Sequence, residues 1–232
     1  MRLDRFVCKS TEYTRSEAVQ CIHNGQLKVN GDTITDEAAQ VHENNTITLN
    51  GTLLKTRSFR YLLMHKPSGT ICSNADGAYP SLFNSLEIEK VSELHVAGRL
   101  DADTTGLVLI TDNGRWTFDI ITPANNCQKV YRVGLSRDLT EGLIERFKSG
   151  FQLQGESKLT LPANLQILGP KEARLTITEG KYHQVKRMFS AVGNRVISLH
   201  REKIGEISLD VPLGDWRFLT NDEVQSFSNP NP

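Results

Sequence analysis

Apolar positions recur along the chain in short blocks, and the spacing within the blocks changes from one part to the next. In the opening segment Leu3, Phe6 and Val7 fall on one side of a helical turn. "TRSEAVQCIHNG" follows, with Thr14 placed as an N-cap and Glu17 three residues on, the spacing of a capping box. Ala18, Cys21 and Ile22 form the buried side of this second helix, and Gly25 suits the left-handed position after its last turn. The period then shortens to two in "LKVNGDTIT", where Asn30-Gly31 between alternating residues predicts a tight hairpin. "NTITLNG" predicts a closing strand, so the first fifty or so residues read as two short helices and a small sheet.

Beyond a polar stretch, "GTLLKTRSFR", the pattern is dominated by strands. Runs at 61–65, 107–111, 130–135, 165–168, 174–178 and 196–199 have strand character, and helices are expected at 81–86, 115–121, 140–148 and 181–192. There are too few crossover helices for a doubly wound parallel sheet. The pattern predicts an α+β fold with a large, mostly antiparallel sheet. The expected organisation is a first domain over 1–52, a linker over 53–60 and a second domain over 61–232.

Composition narrows the class without naming a function. A chain of 232 residues with 38% hydrophobic content can build real cores. No apolar run approaches the roughly 18 residues needed to span a bilayer, and "MRLDRFVCKS" lacks the apolar middle of a secretory signal. A cytoplasmic protein without membrane contact is expected. Cys8, Cys21, Cys72 and Cys127 are scattered, with no metal-ligand spacing, and read as reduced, small apolar residues. Lys+Arg and Asp+Glu balance at 27 each, so only local charge is informative. The segment from Lys181 to Lys203 is basic, with Lys181, Lys186, Arg187, Arg195, Arg201 and Lys203 against Glu202, and the acidic tail beyond it reverses the sign.

The chemistry concentrates in "AGRLDADTTGLVLIT", where an arginine and two carboxylates stand between glycines just before an apolar strand. Read as an EF-hand loop, Asp101, Asp103 and Asp112 fall on ligand positions, but no helix can enter through "HVAGRL" and the last position wants Glu. Read as the D-x-D-x-T of aspartyl phosphatases, the motif should end a buried strand, and here the strand follows it. On the far side of the chain, "KYHQVKRMFSAV" places Val185, Met188, Phe189 and Val192 on one apolar stripe. His183, Lys186, Arg187 and Ser190 recur on the opposite face.

Two resemblances organise these features. "RLDRFV", "TRSEAVQCI" and "NGQLKVNG" resemble the S4 RNA-binding domain, which implies an RNA-holding helix pair with Arg2, Arg5, Arg15 and Lys28 as phosphate contacts. "GRLDADTTGL", "KVYRV" and "EGKYHQVKRMFSAVGN", in that order, resemble the three motifs of pseudouridine synthases that carry an S4 domain. "YLLMHKPSG" and "LHREKIG" extend the likeness over nearly the whole chain. Within that family the C-terminal motifs look most like synthases of the small ribosomal subunit. The implied substrate is a uridine of 16S ribosomal RNA, naked or in a partly assembled small subunit, and the implied state is a monomer. A large-subunit target and a non-catalytic RNA-binding module are the alternatives.

The resemblance implies an isomerase that needs no cofactor and no metal, because a glycosidic bond is broken and remade without redox or phosphoryl transfer. It implies Asp101 as the catalytic carboxylate, acting as nucleophile at C1′ or as base at C2′. A carboxylate in a dry pocket stays ionised only beside a cation, and Lys186 or Arg187 is that cation, with the family motif pointing to Lys186. Tyr131 is implied as the ring that stacks on a flipped-out base. Arg99, Arg187 and His183 are implied as substrate contacts.

Overall fold

The structure is a computed structural model, and it describes residues 1–42 and 44–227. The chain divides into two compact units, Met1–Ser58 and Phe59–Pro232. In the first, α1 (Leu3–Ser10) and α2 (Arg15–His23) precede β1 (Leu27–Val29), β2 (Asp32–Thr33), β3 (Ile47–Leu49) and β4 (Thr52–Leu53). The strands form an antiparallel sheet in the order β2-β1-β3-β4. The Thr14–Glu17 capping box is formed in full at the start of α2. Asn30 and Gly31 both lie at positive φ, 54° and 96°, the backbone that a two-residue hairpin demands. Leu3, Phe6, Val7, Ala18, Ile22, Leu27 and Ile47 close the core.

The expected end of this unit is corrected. Residues 53–60 are not wholly linker, because Leu53 belongs to β4 and Leu54 packs on the first core. The fourth strand supplies the edge pairing that the "NTITLNG" strand would otherwise lack.

The second unit runs β5 (Tyr61–Lys66), β6 (His95–Ala97), β7 (Thr105–Thr111), α3 (Gly114–Ile121), β8 (Lys129–Leu135), α4 (Gly142–Lys148), β9 (Asn164–Gly169) and β10 (Glu172–Ile177). It continues with α5 (Gln184–Ala191), β11 (Val196–Ile204), β12 (Ile207–Ser208), β13 (Trp216–Phe218) and α6 (Asn221–Gln225). The large sheet has the path β13-β5-β7-β11-β8-β10-β9, with β6 on β7 and β12 on β11. Among the described residues, β7–β11 is the parallel pair in a sheet otherwise antiparallel. Both faces are covered. Leu62, Met64, Val108, Ile110 and Val133 pack with Phe147, Met188 and Phe189 on one side, and Leu63, Leu107, Leu109, Trp116 and Ile120 pack on the other. The unbroken apolar run of β7 follows from that double burial.

Gly106 sits where β7 meets β11. Its φ is +113°, and a Cβ there would lie 2.4 Å from the carbonyl oxygen of Arg201. A side chain would therefore push the two central strands apart.

Several predicted bounds move for physical reasons. Residues 81–86 form a short 3₁₀ turn, Leu82–Ser85, capped by the Ser81 hydroxyl, which accepts from the Phe83 amide. The helix expected at 181–192 begins only at Gln184. The Gln184 side chain accepts from the Lys181 amide at 2.8 Å and donates to Glu179 at 2.8 Å, and His183 turns left-handed at φ 47°. Strand β11 runs through the charged "HREK" to Ile204, because its charges find cross-strand partners. Glu202, for example, accepts from Arg174 at 3.0 Å. No helix among the described residues is long and apolar enough to cross a membrane.

Candidate active site

The segment from Gly98 to Thr104 is a loop between β6 and β7, and its shape is held from beneath. Lys66, fully buried at the end of β5, donates from Nζ to the carbonyls of Pro67 at 3.0 Å, Ala102 at 3.3 Å and Thr104 at 2.9 Å. Burial pushes this ammonium below its ordinary pKa. The Gly69 amide donates to the Ala102 carbonyl at 2.8 Å, and the Thr104 amide to the Asp101 carbonyl at 3.1 Å. Asp101 thus stands on a turn whose backbone is fixed by hydrogen bonds at three carbonyls.

The Asp101 carboxylate is 30% exposed and faces Lys186 and His183. Lys186 Nζ lies 2.9 Å from its Oδ2 and 2.6 Å from Asp103 Oδ1, while His183 Nε2 is 3.4 Å from its Oδ1. Burial would lower the Lys186 pKa, but its hydrogen bonds to Asp103 and Asp101 outweigh that and raise it. The same hydrogen bond from Lys186 holds Asp103 below the usual carboxylate range. An ammonium with three rotatable donors can serve two carboxylates that approach from different directions, which a planar guanidinium does less readily.

Arg187 is not at this carboxylate, which corrects the alternative pairing. It reaches Glu156 at 3.2 Å, the Tyr182 carbonyl at 3.0 Å and the Gln154 carbonyl. Lys181 joins the same Glu156 at 3.0 Å. These two hydrogen bonds hold the Glu156 carboxyl below its ordinary value. His183 likewise does not ride the α5 face that a helix begun at 181 would give it. It precedes the first turn, and its ring stacks on Tyr182 with centroids 3.8 Å apart.

Tyr131 comes from β8 and is 8% exposed. Its hydroxyl accepts from Arg201 Nη1 at 3.3 Å, and the guanidinium carbon lies 5.9 Å from the ring centroid. Arg201 is 2% exposed and also donates to the Leu107 carbonyl at 2.7 Å and the Gly98 carbonyl at 2.6 Å. It therefore ties the tyrosine to the Asp101 loop and to β7. Sequence reasoning placed Arg201 in a basic run and in "LHREKIG" without giving it this part. The signal was a charged residue at an inward position of an alternating strand.

These groups line one cleft of about 680 Å³, the size of a small-ligand site. Asp101, Lys186, Tyr131, Arg201, Lys129 and the buried Glu179 are among its polar lining, with His183 at the same cleft, and Cys72, Val96, Ile177 and Leu199 are among its apolar walls. Burial presses the Cys72 thiol upward, which keeps it protonated and inert. Arg99 also lines the cleft but is exposed, and among the described residues no hydrogen bond or ion pair engages its guanidinium.

The four cations expected to touch RNA in the first unit fall into two pairs. Arg2 and Arg15 both bind Asp4, at 3.0 Å and 3.1 Å. Burial alone would raise the Asp4 pKa, but these guanidiniums and the Arg5 amide bring it below the ordinary value. Arg5 and Lys28 are exposed. Asp4 thus holds two guanidiniums in place at the start of the two helices.

Comparison with known proteins agrees with this geometry. Residues 60–191 match the RNA pseudouridylate synthase family, and residues 1–47 match the S4 domain. A ribosomal small subunit pseudouridine synthase A of Vibrio cholerae is 45% identical over 228 residues, covering 97% of this chain and 99% of that protein. Its namesake in Haemophilus influenzae is 42% identical over 228 residues, covering 97% and 98%. A crystal structure of a pseudouridylate synthase superposes with a TM-score of 0.72 at 40% identity, covering 98% of this chain and 99% of that one. With the family match spanning more than half of its residues and these relatives aligned almost end to end, the protein belongs to the RNA pseudouridylate synthases and carries an S4 domain ahead of the synthase domain.

Proposed function

We propose that the chain converts one uridine of small-subunit ribosomal RNA, free or in an assembling particle, to pseudouridine, with Asp101 as the group that acts on the sugar. The observation that carries this reading is the Asp101 carboxylate held by Lys186 at 2.9 Å, in a cleft that also contains Tyr131. The names of the relatives support the choice of the small subunit.

In this reading the target nucleotide leaves its stack and enters the cleft, since C1′ is out of reach in a helix. Asp101 attacks C1′ or removes a proton from C2′, and either role needs a carboxylate that is charged at neutral pH. Lys186 faces one of its oxygens and His183 the other. Tyr131 packs on the base and is the nearest candidate to accept the C5 proton. Arg99, exposed at the cleft and unengaged, binds the phosphate or backbone of the displaced nucleotide. Arg187 acts at one remove, by fixing the segment around Gln154 and Glu156. In the S4 unit Arg5 and Lys28 meet phosphates directly, while Arg2 and Arg15 do so from the anchor that Asp4 provides.

The test is release of tritium from RNA labelled at uridine C5, with EDTA present throughout. Release from small-subunit RNA and none from large-subunit RNA supports the reading. Release only from large-subunit RNA moves the target, and RNA binding with no release from either leaves a binding module in its place.

A further inference from the structure

Two buried cations in the cleft lining form no ion pair among the described residues, because the buried carboxylate in the same lining, Glu179, instead accepts from the Leu161 amide and the Gln184 side chain. Lys129 is 5% exposed and Arg201 2%. Lys129 Nζ donates to one acceptor, the Ile120 carbonyl at 2.8 Å, and Arg201 is satisfied by two carbonyls and the Tyr131 hydroxyl. Among the described residues neither forms an ion pair, and burial together with the charge of Arg201 pushes Lys129 below its ordinary pKa. Two like charges removed from water beside one another are costly, and Met or Leu would fill the same space without that cost. The arrangement becomes favourable when something negative occupies the cleft.

The Asp101 side of the cleft is not short of cations, since Lys186 already serves it. What enters past Asp101 is the base of the flipped nucleotide. When the bond from N1 to C1′ breaks, its electron pair stays with the ring, and the resulting uracil anion spreads its charge over O2 and O4. The bond from C5 to C1′ then forms with a pair from the ring, C5 gives up its proton, and N1 gains one. No net charge, proton or electron is lost, but between the two bond events the ring carries a full negative charge beside the buried Lys129 and Arg201.

We infer that Lys129, with Arg201 behind it, is the counter-charge that holds the uracil ring as an anion while it is detached and turns. This rests on the isomerase reading given above. Fixed donors aimed at charge that develops during a reaction are commonly its largest source of acceleration. Lys129 has the donors to spare, because only one of its three hydrogens is committed to protein.

The experiment compares two RNA substrates that differ only at the target, uridine against 5-fluorouridine, whose fluorine makes the departing ring a more stable anion. Single-turnover consumption of the target nucleoside is followed for wild type, Lys129→Met and Lys129→Arg. Lys129→Met is expected to slow uridine by about 10²-fold, the loss seen for one such donor. The defect on 5-fluorouridine should shrink to about tenfold, because a better leaving group needs less help. Lys129→Arg should recover most of the rate on both. Equal defects on the two substrates, or a loss confined to RNA affinity, would overturn the inference, the second pointing to a phosphate contact instead. If Lys129→Met does not fold, a Lys129→Arg enzyme whose rate shows the same substrate dependence as wild type still supports it, and one with altered dependence and no gain from fluorine counts against it. Wild type that consumes neither substrate removes the isomerase reading itself, which is a separate failure.

Discussion

Lys186 and Arg187 are neighbours on α5, yet they serve two carboxylate clusters of different kinds. At one, an ammonium bridges Asp101 and Asp103 inside the cleft. At the other, a guanidinium gathers Glu156 and the carbonyls of Gln154 and Tyr182. Successive residues on a helix point about 100° apart, so one helix turn can hold a reactive carboxylate and a supporting loop without confusing them. The difference teaches which kind of cation each task takes. A point charge with free rotation engages a carboxylate and leaves it accessible, whereas a rigid fork with several fixed donors pins backbone.

The comparison breaks most sharply at Asp101. Asp101→Asn keeps the shape and removes the charge, and the single-turnover rate should fall by about 10⁴-fold or more while RNA affinity holds. Lys186→Met should follow, with a loss of about 10²–10³-fold in rate and little change in affinity. Lys186→Arg tests the rotational argument, because the planar fork must fit its fixed donor directions to two aspartates now placed around an ammonium, and it should recover only part of that loss. Arg187→Met should behave differently, lowering the melting temperature while turnover falls less than about tenfold. A collapse of turnover in Arg187→Met with stability unchanged would erase the distinction between the two clusters.

The smallest effect is on pH dependence. Asp103 is held below its ordinary value of 3.8 by Lys186, so it contributes stability that is fully present above that value and lost as pH falls through the lower folded value. The stability difference between wild type and Asp103→Asn, from denaturant titrations, should therefore be constant at neutral pH and fade in that acid window. Lys186, raised by the same pair, works in the opposite sense. Its contribution is complete below 10.5 and disappears only as pH rises through the higher folded value.

What could be read from the sequence was whatever is fixed by near neighbours. The Thr14–Glu17 cap, the Asn30-Gly31 turn and the apolar run of β7 each depend on a few adjacent residues, and each has a distinct signature. The meeting of Asp101 with Lys186 is long-range, and it was legible only because a family resemblance put both in known motifs. Lys66, Lys129 and Arg201 were illegible as site residues. Their partners are mainly backbone carbonyls brought by strand register, which leave no mark in side-chain identity. His183 was misplaced because the helix was started three residues early, which put it on the helix face and hid the turn that Gln184 and Glu179 impose.

The central claim is that the charge at position 101 makes this chain an isomerase of uridine. The most direct measurement digests small-subunit ribosomal RNA to nucleosides after incubation with wild type or with Asp101→Asn, and separates uridine from pseudouridine. The account predicts pseudouridine after wild type and none above background after Asp101→Asn. Equal amounts after both proteins would contradict it.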